Sequence, residues 1–126
     1  MSKKLYALLV GIDDYPSPVS KLYGCVRDVN YLLDFLKEHF HDRLAVEVLT
    51  NSDASRDNII KMFRQHLAKA GEEDAAFFHY SGHGSRELSA SRFREFFPES
   101  KDETLVCHDS RKSGGLDLAD KELAVL

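Results

Sequence analysis

Leu5-Tyr6-Ala7-Leu8-Leu9-Val10-Gly11-Ile12 stands between Lys3-Lys4 and the break Asp13-Asp14-Tyr15-Pro16. A run this short without polar alternation has no wet face. It reads as a strand buried on both sides, the habit of parallel sheets covered by helices. With Met1 to Lys4 in front it imitates a signal peptide. The acids and proline end it at once, however, no small-residue cleavage site follows, and it is too short to span a bilayer. A cytoplasmic protein without a membrane segment is the expectation.

The next segments fit that first strand. After a Pro/Ser/Gly loop from Asp13 to Gly24, the residues Val29, Leu32, Leu33, Leu36 and Phe40 recur at helical spacing, with Arg27, Asp34, Lys37 and Glu38 largely opposite. Leu44 to Leu49 is aliphatic and closed by Thr50-Asn51-Ser52-Asp53, a second strand. Ser55 is placed to cap a second helix, whose stripe Ile59, Ile60, Phe63 and Leu67 stops near Ala70-Gly71. Ala75 to Tyr80 is a third strand, leading into the turn Ser81-Gly82-His83-Gly84-Ser85. Strands and helices in alternation predict an α/β fold whose mainly parallel central sheet carries helices on both faces, with right-handed crossovers.

Beyond the turn the pattern weakens. Arg86 to Glu103 is polar apart from Phe93, Phe96 and Phe97 and reads as a surface excursion; Thr104 to Cys107 reads as a short strand, Ser113-Gly114-Gly115 as a turn, and Leu118 to Leu126 as a third helix. At 126 residues one core and one domain are the default. The net charge of −4 offers no broad footprint for a phosphate backbone, so nucleic acid is not an expected partner. Two cysteines are too few for a disulfide framework and fit a reducing compartment.

Ligands of open α/β sheets gather at the carboxyl ends of the strands. Here those ends carry Asp13-Asp14, the loop after the second strand, and Ser81-Gly82-His83-Gly84. A histidine between two glycines has backbone freedom and little crowding, which suits a positioned general base; it equally suits a solvated turn. His79 and His83 have a metal-ligand spacing that needs a helix, and no helix fits there. Ser81 is no nucleophile elbow, since His79 stands where that turn requires glycine. A flavodoxin-like nucleotide or phosphate-binding module would use Asp13-Asp14 and the Gly loop, but no G-x-G-x-x-G or P-loop spacing occurs.

Taken together, Ala7 to Ile12, Leu22-Tyr23-Gly24-Cys25-Val26-Arg27-Asp28, Phe77 to Gly84, Asp102-Glu103-Thr104-Leu105 and Asp117 to Leu123 resemble the successive motifs of caspase-like cysteine peptidases, the metacaspase branch above all. The resemblance implies a three-layer caspase-like fold, of which this chain covers the N-terminal, large-subunit part. It also implies peptide-bond hydrolysis by a Cys/His dyad. His83 takes the place of the general base, and the backbone N–H of Gly84 joins that of the nucleophilic cysteine in the oxyanion hole. Leu22 stands where caspases proper carry an arginine that grips aspartate. Asp28 matches the acid with which metacaspases receive Arg or Lys, and read by itself it is also a helix-start acid. Calcium is the one cofactor the resemblance brings in, through Asp102 and Asp120. Lys121 occupies the place of a usual second aspartate, and Asp117, Asp120 and Glu122 read equally as helix-start acids.

The family's nucleophile lies beyond the third helix, within Asp-x-Cys-His-Ser-Gly. Cys107-His108-Asp109-Ser110 looks similar, but Leu105 replaces the motif's aspartate, and Cys25 reads as a small hydrophobe packed behind the first helix. The expectation is one caspase-like catalytic domain over residues 1–126 that stops before the nucleophile strand, with Leu123, Val125 and Leu126 awaiting cover. Such a chain is inactive without the C-terminal, small-subunit-like part as its partner, and protein or peptide is its substrate. The alternative is a short, non-catalytic caspase-like binding or regulatory module.

Overall fold

The computed structural model describes residues 3–88, 101–111, 115–119 and 122–123. Strand β1 (Leu5–Gly11) lies between β2 (Leu44–Thr50) and β3 (Ala75–Ser81), parallel to both, with Leu5 opposite Leu44 and Ala75, and Gly11 opposite Thr50 and Ser81. Both edges of β1 are therefore paired. Its alternate side chains feed two cores. Leu5, Ala7 and Leu9 pack with Val29 and Leu36 of helix α1 (Cys25–Phe40), whereas Leu8 and Val10 pack with Ile59 of helix α2 (Arg56–Gln65) and with Leu67. This is the helix, sheet, helix layering that the unbroken apolar run demanded. Leu8, Leu9 and Val10 are wholly buried, each stabilising the fold by about 1.5–3 kcal/mol.

The helix starts are set differently. Ser55 precedes α2, and its hydroxyl accepts the Asn58 N–H at 3.2 Å, as its position suggested. Gly24 precedes α1 and has no side chain to offer, so the cap comes from a distant residue, described below. Gly11 lets α1 close onto the strand: a Cβ there would stand 2.8 Å from Val29 Cγ2 and 3.0 Å from the Cys25 carbonyl oxygen.

Two residues after β3 the chain enters a second sheet. Strand β4 (Gly84–Leu88) pairs antiparallel with β5 (Lys101–Leu105), and β5 with β6 (Leu118–Ala119). Here the sequence reading needs correction in three places. Gly84 and Ser85, expected in a turn, and Arg86 to Leu88, expected in a surface excursion, form a strand, because main-chain pairing with residues 101–105 organises a segment that has no apolar pattern. The short strand expected over Thr104 to Cys107 ends at Leu105: the Val106 N–H leaves the ladder to bond the His83 carbonyl, and the Cys107 N–H bonds Ser110 Oγ. Leu118-Ala119, expected to open a helix, is strand, held by pairing with Thr104 and Leu105 and by burial of both side chains; helix is described only at 122–123. Along β3, an edge in the described sheet, Ala75, Ala76 and Phe77 are exposed. Phe93, Phe96, Phe97, Ser113, Gly114, Val125 and Leu126 lie outside the described residues. Among those described, no helix is long and apolar enough to cross a membrane.

Candidate active site

The loop from β1 to α1 is built on Asp13. Its carboxylate accepts the N–H groups of Cys25 at 2.8 Å and Val26 at 3.1 Å, doing for α1 what Gly24 cannot. Partial burial pulls the Asp13 pKa upward, but these backbone donors outweigh it and hold the carboxyl below its ordinary range. The N–H groups of Asp13 and Asp14 both donate to Asn51 Oδ1 at 3.0 Å, and Asn51 takes the left-handed φ of 48° that asparagine tolerates. Asp14 pairs with Lys21. The N-terminus of α1 is thus occupied by a carboxylate of the protein itself and is not open to a phosphate.

His83 sits at the junction of the two sheets, half-buried, and is held through its ring, its N–H and its carbonyl. Its Nε2 lies 2.8 Å from the Ser20 carbonyl oxygen, its ring rests 4.9 Å from the Tyr15 ring, and its N–H donates to the Tyr15 hydroxyl at 3.0 Å. Its carbonyl accepts the Tyr80 hydroxyl at 2.6 Å and the Val106 N–H at 3.0 Å. A carbonyl oxygen only accepts, so Nε2 must carry the proton. The lone pair then lies on Nδ1, which makes that atom the basic one. Gly84 is exposed, and a Cβ there would meet nothing nearer than the Thr104 oxygen at 3.7 Å, so its backbone is open to approach. Tyr15, Ser20 and Tyr80, which hold the imidazole, were not singled out from sequence; only the glycines around His83 hinted that its order had to come from elsewhere.

Neither described thiol is poised to react. Cys107 is fully buried, and burial pushes its pKa up to about 11. Cys25 opens α1 and is partly buried; burial and the adjacent Asp13 carboxylate push it to about 11 as well. Asp28 is exposed in the first turn of α1, a place that suits a negative charge. His79 Nε2 and Ser81 Oγ are bonded to each other at 2.9 Å. The Asp102 side chain and Asp120 lie outside the described residues. Asp117 is buried and pairs with Arg111 and Thr104, interactions that override its desolvation and lower its pKa. Among the described residues no three His, Cys, Asp or Glu side chains converge on a point, so they furnish no calcium cage.

Residues 4–125 match the family model described as metacaspase, peptidase C14 domain. The chain is 39% identical over 90 residues to Metacaspase-1 of Pyricularia oryzae and 36% identical over 114 residues to Metacaspase-9 of Arabidopsis thaliana. These alignments cover 66% and 84% of the chain but only 22% and 34% of those proteins, so the chain spans between about a fifth and a third of the relatives it matches. In fold it is similar to the crystal structure of protein GSU0716 from Geobacter sulfurreducens, with a TM-score of 0.75 at 24% identity, over 97% of this chain and 44% of that one.

Proposed function

The chain belongs to the metacaspase family of peptidase C14 and has its caspase-like fold, and from that premise we propose that it is the histidine-bearing part of a cysteine-type endopeptidase cleaving after Arg or Lys. The observation that carries the reading is the imidazole of His83 held with Nε2 2.8 Å from the Ser20 carbonyl oxygen, an arrangement that puts the neutral ring's lone pair on Nδ1. In this reading Nδ1 takes the proton of a cysteine thiol supplied by the protein beyond this chain. The thiolate attacks the scissile carbonyl carbon, and the charge that develops on the carbonyl oxygen meets the Gly84 N–H. The imidazolium then protonates the departing amine, and water, deprotonated by the same nitrogen, hydrolyses the thioester.

Asp28, exposed at the start of α1, is the acid we assign to the substrate's basic side chain. Leu22, packed against the core, offers an aspartate nothing. With both described thiols near 11, residues 1–126 alone are expected to be inactive. A reducing, cytoplasmic setting accords with two free cysteines. The test is hydrolysis of Arg-, Lys- and Asp-terminated fluorogenic peptides by the full-length protein, with and without calcium, the latter comparison addressing Asp102 and Asp120. His83→Ala is expected to lower kcat/KM by about 10²–10⁴, and Asp28→Asn to weaken Arg and Lys substrates selectively. Hydrolysis unaltered in His83→Ala refutes the dyad, and a wild-type protein inert to every peptide leaves the non-catalytic module.

A further inference from the structure

The segment bearing His83 has the loosest covalent backbone at the site, a single residue between Gly82 and Gly84. Yet it is among the most tightly bonded. The hydroxyls of Tyr15 and Tyr80 meet at 3.0 Å and together engage three main-chain groups: the His83 N–H, the His83 carbonyl and the Val106 carbonyl, the last lying 2.8 Å from both oxygens. Gly82 makes room for them, since a Cβ there would lie 2.5 Å from the Tyr80 oxygen and 2.6 Å from the Tyr15 oxygen. Tyr15 is 1% exposed. Burial raises the pKa of both phenols, so they keep their protons throughout the range in which a peptidase would be assayed. Packing alone would be served by phenylalanine at either position; what distinguishes tyrosine is a hydroxyl, and both hydroxyls converge on one residue.

We propose that the paired hydroxyls of Tyr15 and Tyr80 are a positioning device for His83, fixing the backbone on both sides of the imidazole so that Nδ1 and the Gly84 N–H hold their places. The proposal rests on the peptidase reading. Neither tyrosine touches substrate in it; each acts through His83. Removing one hydroxyl leaves the ring contacts and the Val106 and Ser20 bonds but loosens the turn between the two glycines, and a displacement of about 1 Å at reacting atoms can cost about 100-fold in rate.

The experiment is steady-state kinetics on the full-length protein with the Arg-terminated peptide, comparing wild type, Tyr15→Phe, Tyr80→Phe and His83→Ala below the unfolding temperature of each. Active sites are counted with a thiol-directed peptide inhibitor. The expected result is a kcat per active site about 10- to 100-fold lower in each Tyr→Phe variant, with KM within about threefold of wild type. A merely structural role would lower the unfolding temperature or the number of active sites and leave kcat per site unchanged, which overturns the proposal. If one variant does not fold, the other carries the test. A wild type that does not cleave overturns the peptidase reading and this proposal with it, whereas an active wild type with unaltered Tyr→Phe variants overturns this proposal alone.

Discussion

Asp13→Ala removes the group that organises the start of α1. Two backbone donors, Cys25 N–H and Val26 N–H, lose a charged acceptor at 2.8 and 3.1 Å, and Gly24 has nothing with which to replace it. Loss of a helix cap costs about 0.5–2 kcal/mol. Loss of a negative charge at a helix N-terminus costs about 0.3–1 kcal/mol more. Partial burial favours the upper half, so about 2 kcal/mol is expected. In urea, with m about 2 kcal/mol/M for a domain of this size, the midpoint falls by about 1 M. The sign with pH follows from the depressed carboxyl. A folded pKa below the ordinary 3.8 gives stability that is present above 3.8 and lost as pH falls through the folded value. The gap between wild type and Asp13→Ala should therefore be constant near neutrality and close in strong acid. Asp13→Asn, which keeps one oxygen acceptor, should lie between them. Equal midpoints at neutral pH, or a gap that persists undiminished in strong acid, would refute the capping argument.

Two other results follow from the same geometry. At pH 8 both thiols, with pKa values near 11, should react with a small aromatic disulfide about 100-fold more slowly than free cysteine; complete labelling within seconds would contradict their burial. Gly11→Ala sets a methyl group 2.8 Å from Val29 Cγ2 and should destabilise by about 1–3 kcal/mol, read as a lowered urea midpoint at constant m.

The parallel sheet was legible because its signals are local. An unbroken apolar run, the α1 and α2 stripes and Ser55 each declare their element from neighbours within one turn or one strand. Strands β4 and β6 were not legible, since Arg86 to Leu88 has no apolar pattern and Leu118-Ala119 is as compatible with helix as with strand; both depend on β5. The place of His83 could be named from its motif, but its partners could not. Ser20 lies 63 residues away in sequence and Tyr15 lies 68 away, and no spacing rule links them. Asp13 was noticed as part of a ligand-gathering loop and not as a cap, because a helix whose preceding residue is glycine gives no sign of where its cap comes from.

The fastening of His83 has a consequence for when its imidazole acquires a place. Its contacts come from residues 15, 20, 80 and 106, so three stretches of chain made at different times during synthesis must meet before the imidazole has a direction. In a nascent or partly unfolded molecule those contacts are missing, and the glycines on either side leave the imidazole without a fixed direction.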